Sequence, residues 1–88
     1  MPDRRAWGAM IWPLGVADAF GAVRISQRLH WTQRAACAEA EAWVREMGAG
    51  PIEWRVLDEQ VVMATLDHGT GRQLVVVRSV LLPKGEPP

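Results

Sequence analysis

The residues from Asp67 to Arg72 bring several reactive side-chain types into one short stretch. The run DHGTGR contains a carboxylate, an imidazole, a hydroxyl, a guanidinium and two glycines. A glycine-rich loop holds phosphate when it leads into the amino terminus of a helix, but here a strand-like apolar run follows. A hydroxyl and a histidine form a catalytic pair through geometry in the fold, not through closeness in sequence. The pattern therefore predicts a hairpin loop whose glycines permit positive φ, and not an active site.

The other side chains that could bind metal or act as nucleophiles are scattered. A structural zinc site normally needs about four Cys, His or carboxylate ligands, whereas this chain has Cys37 as its one cysteine and two distant histidines, His30 and His68. Cys37 has no partner for an intrachain disulfide, and its place beside an apolar stripe predicts a buried, unreactive thiol. We therefore expect no metal, no cofactor and no enzymatic activity, and a cytoplasmic location.

The amino-terminal stretch leaves one alternative for location. Arg4 and Arg5, the apolar run 6–16 and then Ala17-Asp18-Ala19 have the order of a secretory signal, with cleavage after Ala19. Asp3 in the charged part and Pro13 in the apolar part argue against it. No apolar run approaches the roughly 20 residues that span a membrane, so we expect no membrane partner.

A basic stripe is the feature that would suit nucleic acid. The run from Ala22 to Trp31 alternates as a strand, which predicts a face that carries Arg24, Arg28 and His30, joined by Arg78 from a later strand. Phosphate contacts come from such clusters. However, sheets that bind single strands also carry aromatic side chains on that face, and Trp31 alternates to the other side. Because the net charge is +0, nucleic-acid binding is the alternative and protein binding the first hypothesis.

The helix that must position these strands is predicted at Thr32 to Gly48. Thr32 is a good amino-terminal cap, and Gly48 is the type of residue that closes many helices. At 100° per residue the apolar side chains share one arc: Ala36, Cys37, Ala40, Trp43, Val44 and Met47. This is the pattern of a helix that packs on a sheet.

Five strand-like segments surround the helix. They are predicted at 7–14, 22–31, 52–57, 60–66 and 72–82, with residues 1–5 and 84–88 disordered. The order β-β-α-β-β-β favours an α+β fold: one domain over residues 1–88, with a single antiparallel sheet of about five strands and one helix packed on one face.

The last two strands are apolar in both alternation phases. The runs 61–64, 74–77 and 80–82 are almost entirely Val, Leu, Met and Ala, as in a sheet that is covered twice. The second layer could be the segment Trp7 to Phe20, a second copy of the chain or a different protein. A large exposed apolar patch marks an interface, so we predict contact with a protein partner, or a homodimer through the sheet. The candidate interface residues are Val62, Ala64, Val75, Val77 and Leu81.

From Val23 to Pro83, the order of elements has a recognisable format. A strand leads to a Glu-Ala-rich helix ending Ala42-Trp43-Val44, followed by Pro51-Ile52-Glu53-Trp54 and a closing valine-rich strand. This resembles short proteins of GC-rich proteobacteria and their prophages. A compact neutral domain without catalytic residues is also similar in format to phage-borne inhibitors such as anti-CRISPR proteins. The resemblance implies an inhibitor or accessory protein that occludes a partner's surface, and it assigns no functional residue. We predict a non-enzymatic protein-binding module.

Overall fold

The computed structural model describes residues 4–13, 24–68 and 71–82. Within these residues, five strands form one antiparallel sheet in the order β2-β1-β5-β4-β3, with one helix on it. The elements are β1 (Arg4–Pro13), β2 (Arg24–Ile25), α1 (Gln33–Glu46), β3 (Arg55–Asp58), β4 (Val61–His68) and β5 (Gly71–Leu82). The predicted α+β fold, with one helix on an antiparallel sheet, is confirmed.

Strand β1 lies inside the sheet, between β2 and β5. It pairs with β5 along its whole length, from Arg4 opposite Leu82 to Pro13 opposite Gln73. Pro13 is tolerated because it is the last residue of the strand. Two expectations are corrected: Arg4 and Arg5 are paired rather than disordered, and residues 7–13 belong to the sheet and cannot be its second layer. Residues 14–20 of that predicted layer, and the predicted disordered ends 1–3 and 84–88, lie outside the described residues.

Within the described residues, strand β2 is much shorter than the predicted strand 22–31, of which residues 22–23 lie outside the described part of the chain. Regular pairing covers Arg24 and Ile25, after which the chain bends at Gln27 and Arg28 and returns to β1 at His30. The return is made by backbone hydrogen bonds of 2.7 and 2.8 Å between Trp7 and His30. The break coincides with Gln27, the residue that interrupts the apolar phase of the alternation.

Helix α1 has the predicted caps, and four of the six residues of the predicted arc are buried, while Cys37, predicted to be buried, and Met47 are half-buried. Thr32 Oγ1 accepts a hydrogen bond from the Ala35 amide at 3.1 Å, and Gly48 has φ of 79° just beyond the helix. The helix packs on β1 and β5, where small alanines allow the two backbones to approach closely. Its buried residues are Ala36, Ala40, Trp43 and Val44. Among the described residues, α1 has neither the length nor the hydropathy of a membrane-spanning helix.

Two hairpins complete the sheet. Between β3 and β4, Asp58 Oδ1 accepts from the Gln60 amide at 2.6 Å, and the register shifts between Val56 and Asp58 as in a β-bulge. Between β4 and β5, the pairing closes with His68 opposite Gly71. A hairpin is therefore present where the sequence predicts a loop at 67–72, although residues 69–70 lie outside the described part of the chain.

Candidate functional site

The two faces of the sheet differ in what packs on them. Side chains alternate along a strand, so the register places Ala9, Val77 and Val62 side by side under α1. The next row, Met10, Val76 and Met63, points to the opposite side. We call that side the open face, since no described helix or second sheet packs on it. Its apolar residues include Met10, Val61, Met63, Leu74, Val76, Val80 and Leu82.

The predicted interface residues mostly lie on the covered side. Relative exposure is 4% for Val62, 2% for Ala64 and 0% for Val75 and Val77, because α1 and its flanking residues cover them. Leu81 shares their phase and is 56% exposed near the end of β5. The sequence prediction is therefore corrected: the first four residues belong to the core, and the alternate residues of the same strands form the open face.

A groove crosses the open face where the segment after β2 folds back over β1. It has a volume of about 200 Å³, and its lining includes Gly8, Met10, Ile25, Leu29, Arg78 and Val80. A Cβ on Gly8 would lie 2.8 Å from Leu29 Cδ2, so the glycine leaves room for the leucine at the groove's floor. The groove is apolar apart from Ser26 and Arg78, and Arg78 lies opposite Gly8 in the register.

The four predicted basic residues do not form one face. Arg24 Nη1 lies 2.8 Å from Glu46 Oε2, and its guanidinium stacks 5.0 Å from the Trp43 ring centroid, on the helix side. His30 also turns to the helix. Arg28 is exposed in the bend, and Arg78 lies on the open face. The predicted stripe is corrected because the chain bends within residues 26–30, and because the register puts Arg78 on the other side of the sheet.

Among the described residues, Ser26, Glu39 and His30 form the one cluster that superficially resembles a catalytic set. Ser26 Oγ donates to Glu39 Oε1 at 2.5 Å, and His30 Nε2 lies 2.9 Å from the same oxygen. Ser26 Oγ also accepts from the Ala9 amide at 2.9 Å. In a hydrolase triad the histidine stands between the hydroxyl and the carboxylate, whereas here the carboxylate stands in the middle. The cluster ties the segment after β2 to β1 and α1.

Sequence reasoning missed this cluster. Glu39 lies on the flank of α1, half-buried. Ser26 and His30 share an alternation phase in the sequence, which was the available signal for one shared partner. A neighbouring contact is similar: Trp54 Nε1 donates to Glu41 Oε2 at 3.1 Å and ties the β3 side to the helix.

Cys37 lies half-buried on α1, beside the core. Burial, and secondarily the nearby Glu41 carboxylate, raise the pKa of the Cys37 thiol. At neutral pH the sulfur is therefore protonated, and a protonated thiol is a poor nucleophile and a poor metal ligand. Within residues 4–13, 24–68 and 71–82, no three Cys, His, Asp or Glu side chains are grouped so as to hold a metal ion.

The unpaired charges of the open face are mostly positive, whereas α1 carries both signs, with Arg34 and Arg45 on the same helix as its glutamates. Arg72 is paired with Asp67 at 3.0 Å, and Asp58 is bound within its turn. Further arginines share the open face by register, while glutamates flank α1. The arginines are Arg4, Arg55 and Arg78, and the glutamates are Glu39, Glu41 and Glu46. The open face therefore combines apolar strands with an excess of positive charge.

No protein family, no curated protein and no solved structure matches this chain. The open face, its groove and its charges are therefore what a functional proposal has to rest on.

Proposed function

We propose that this chain is a non-enzymatic protein-binding module whose open face covers part of a partner's surface. The observation that carries the proposal is the row Met10, Val76 and Met63 at the centre of that face. All three side chains are half-buried and apolar, and no described layer packs on them. The solvent side of a one-sided antiparallel sheet is ordinarily polar, and an apolar face of this kind marks an interaction site.

The reactive groups support binding rather than catalysis. Ser26 gives its hydrogen bond to Glu39 and not to His30, so the hydroxyl is not paired with the imidazole as it is in a hydrolase triad. The raised pKa of the Cys37 thiol keeps that sulfur protonated. These side chains act as structural ties between α1 and the sheet.

An inhibitor or accessory role, of the kind that small phage-borne inhibitors such as anti-CRISPR proteins have, fits this arrangement. A module without chemistry of its own acts by occluding the surface on which it sits. An apolar sheet face with a groove for an anchoring side chain favours that mode, since binding energy concentrates in a few buried anchors.

A nucleic-acid-binding regulator is the second candidate. Arg4, Arg55 and Arg78 lie on the open face, and arginines of this kind contact phosphates. The central row of Met10, Val76 and Met63 carries no ring, and Trp12, which shares that side by register, is only 8% exposed. The face therefore offers little ring surface on which bases could stack, in contrast to the usual single-strand platforms. We therefore rank protein binding first.

Affinity capture from extracts of the source organism tests the proposal, with the wild-type chain and two matched valine variants as baits. Val76→Asp places a charge in the centre of the open face, whereas Val56→Asp changes an edge-strand valine that is already 75% exposed. We expect a specific protein to be lost with Val76→Asp and kept with Val56→Asp. The nearly isosteric Val76→Thr is the control for misfolding at this position. Circular dichroism checks that all three variants are folded.

Equal capture by both aspartate variants would contradict the proposal. A signal removed by nuclease treatment, with a salt slope that falls by about one unit for each arginine replaced, would favour the nucleic-acid candidate.

A further inference from the structure

We infer that the segment that docks on the open face is an acidic amphipathic helix of the partner protein, and that its carboxylates bind Arg78 and Arg55. The inference rests on the proposed function and adds the shape and charge of the docking segment. It is drawn from the width of the apolar face, from the groove and from the positions of the two arginines.

The shape of the face suits a helix. Strands β1, β5 and β4 are adjacent, so the outer two are separated by about 10 Å, close to the roughly 10 Å diameter of a helix. The covered face gives a direct precedent, because α1 packs on β1 and β5 through an apolar stripe. The groove between Leu29 and Val80 would take one anchoring side chain of the docked helix.

The charge of the face suits carboxylates. No ion pair within the described residues includes Arg78 or Arg55. Arg78 lies opposite Val61, and Arg55 lies opposite Met63, with β4 between them. Two strand spacings across and two residues along place their Cα atoms about 12 Å apart. Residues seven or eight apart on a helix are separated by about 10 to 12 Å, so two glutamates at that spacing could reach both guanidinium groups.

A second copy of this chain is a poorer occupant. Strand β5 is the middle strand of the sheet, and Arg78 lies near the centre of the face. In a symmetric face-to-face dimer the same patch meets itself, which would bring the Arg78 side chains of the two copies close together, where they repel each other. The apolar stripe of α1 is already buried on the sheet, so it is not free to dock on another copy. A partner with negative charge avoids both problems.

Fluorescence anisotropy with synthetic helical peptides of about 18 residues, roughly 27 Å long, tests the inference. The first peptide has a leucine stripe flanked by glutamates seven apart, the second has lysines in place of the glutamates, and the third has the composition of the first in scrambled order. With the full chain we expect the acidic peptide to bind at least about tenfold more tightly than the lysine peptide, by complementary charge. The scrambled peptide should bind more weakly than the acidic one.

Charge reversal in the protein supplies the matched control. Arg78→Glu and Arg55→Glu should weaken the acidic peptide by about tenfold each and improve binding of the lysine peptide. Arg34→Glu reverses an exposed arginine on α1 and should leave both affinities unchanged. Because all three positions are exposed, the variants should fold, which circular dichroism verifies.

The possible failures are distinguishable. Equal binding of the acidic and lysine peptides, or no binding of either, would overturn the inference, and the proposed function would still be judged by capture with Val76→Asp. If capture of the protein does not depend on Val76, the proposed function is contradicted, and the inference that rests on it is contradicted too. A stable dimer in sedimentation that Val76→Asp dissociates would mean that a second copy occupies the face, which also overturns the inference.

Discussion

The two faces of this sheet come from the same strands and differ by one residue in phase. Val77 lies under α1 with 0% exposure, while its neighbour Val76 is half-buried on the open face. Both are valines on the middle strand of one sheet, so local sequence preference cannot distinguish them. They differ because α1 packs over Val77 and not over Val76. Burial of Val77 is therefore set by α1, and no described layer packs over Val76. On the same side as Val76, Ala6 and Trp12 of β1 are nonetheless 0% and 8% exposed.

The polar rims of the two faces differ in how many of their charged side chains have partners. Each glutamate on the flanks of α1 binds a group from the strand side: Glu39 with Ser26 and His30, Glu41 with Trp54, and Glu46 with Arg24. The covered face thus has an apolar centre, and the three glutamates at its rim are all bound, although Gln73 Oε1 is buried on that side without a hydrogen-bond partner. The open face has the apolar centre, but Arg55 and Arg78 have no ion-pair partner within the described residues. Asp58 and Asp67 share the open face by register, but neither forms an ion pair with Arg55 or Arg78. The carboxylates for these two arginines are what we infer a partner supplies.

Removing the largest side chain of the helix layer should have the largest effect. Trp43 is 6% exposed between α1 and the sheet, so Trp43→Ala should lower the free energy of unfolding by about 3–5 kcal/mol. Trp31 is the control: it is 36% exposed and holds the Arg4 guanidinium 4.0 Å from its ring centroid. Trp31→Ala should lower it by only about 1 kcal/mol. Urea unfolding measures both free energies, and equal losses in the two variants would contradict the difference in burial between Trp43 and Trp31.

The two neighbouring valines provide the most direct test of the comparison. Val77→Ala removes two methyl groups from a fully buried site and should lower the free energy of unfolding by about 2 kcal/mol. Val76→Ala makes the same change on the open face, where the site is half-buried, and should lower it by less than about 1 kcal/mol. The measurement is urea unfolding of the isolated chain. If both variants lose equally, the open face is covered in solution, as a core face is.

Much of the fold could be predicted from local patterns. The helix was specified by Thr32, Gly48 and an apolar arc at helical spacing, and each of these acts within one element. The order of strands and helix then led to an antiparallel sheet with one covered face. These predictions depend on residues close in sequence, whose energetics are largely independent of the rest of the chain.

The details of the site could not be predicted, because they depend on long-range pairing. In β4 and β5 both phases are apolar, so the choice between Val77 and Val76 needs the position of α1, which periodicity does not contain. The segment after β2 was predicted as one straight strand. It bends within residues 26–30, where Arg28 lies exposed, and returns to β1 with His30 on the helix side, the side that Arg24 also faces. Arg78 lies on the other side of the sheet because of the register between β5 and β1, which alternation within one strand does not contain.

The amino-terminal cap of α1 tests how firmly the helix layer is held. Thr32 Oγ1 accepts the Ala35 amide hydrogen bond at 3.1 Å, so Thr32→Ala should lower the free energy of unfolding by about 1 kcal/mol. Thr32→Ser keeps the accepting oxygen and should be close to wild type in the same urea titration. Neither change touches the open face, so peptide affinity there should not move. A loss of affinity in Thr32→Ala would mean that the two faces are coupled.

Cys37, at the border of the covered layer, should give the smallest effect. Burial and Glu41 raise the pKa of its thiol, so the folded chain keeps the proton at pH values where the unfolded thiol has already lost it. Stability is therefore unaffected below the unfolded pKa and falls as the pH rises above it. Between about pH 7 and about pH 10, Cys37→Ala should lose less unfolding free energy than wild type.

In the Cys37→Ala background, Val76→Cys places a thiol on the open face, and it should react faster with a thiol reagent at neutral pH than Cys37 does in the wild type. Equal rates would mean that the two thiols are equally accessible, and the contrast between the covered layer and the open face would fail at this site.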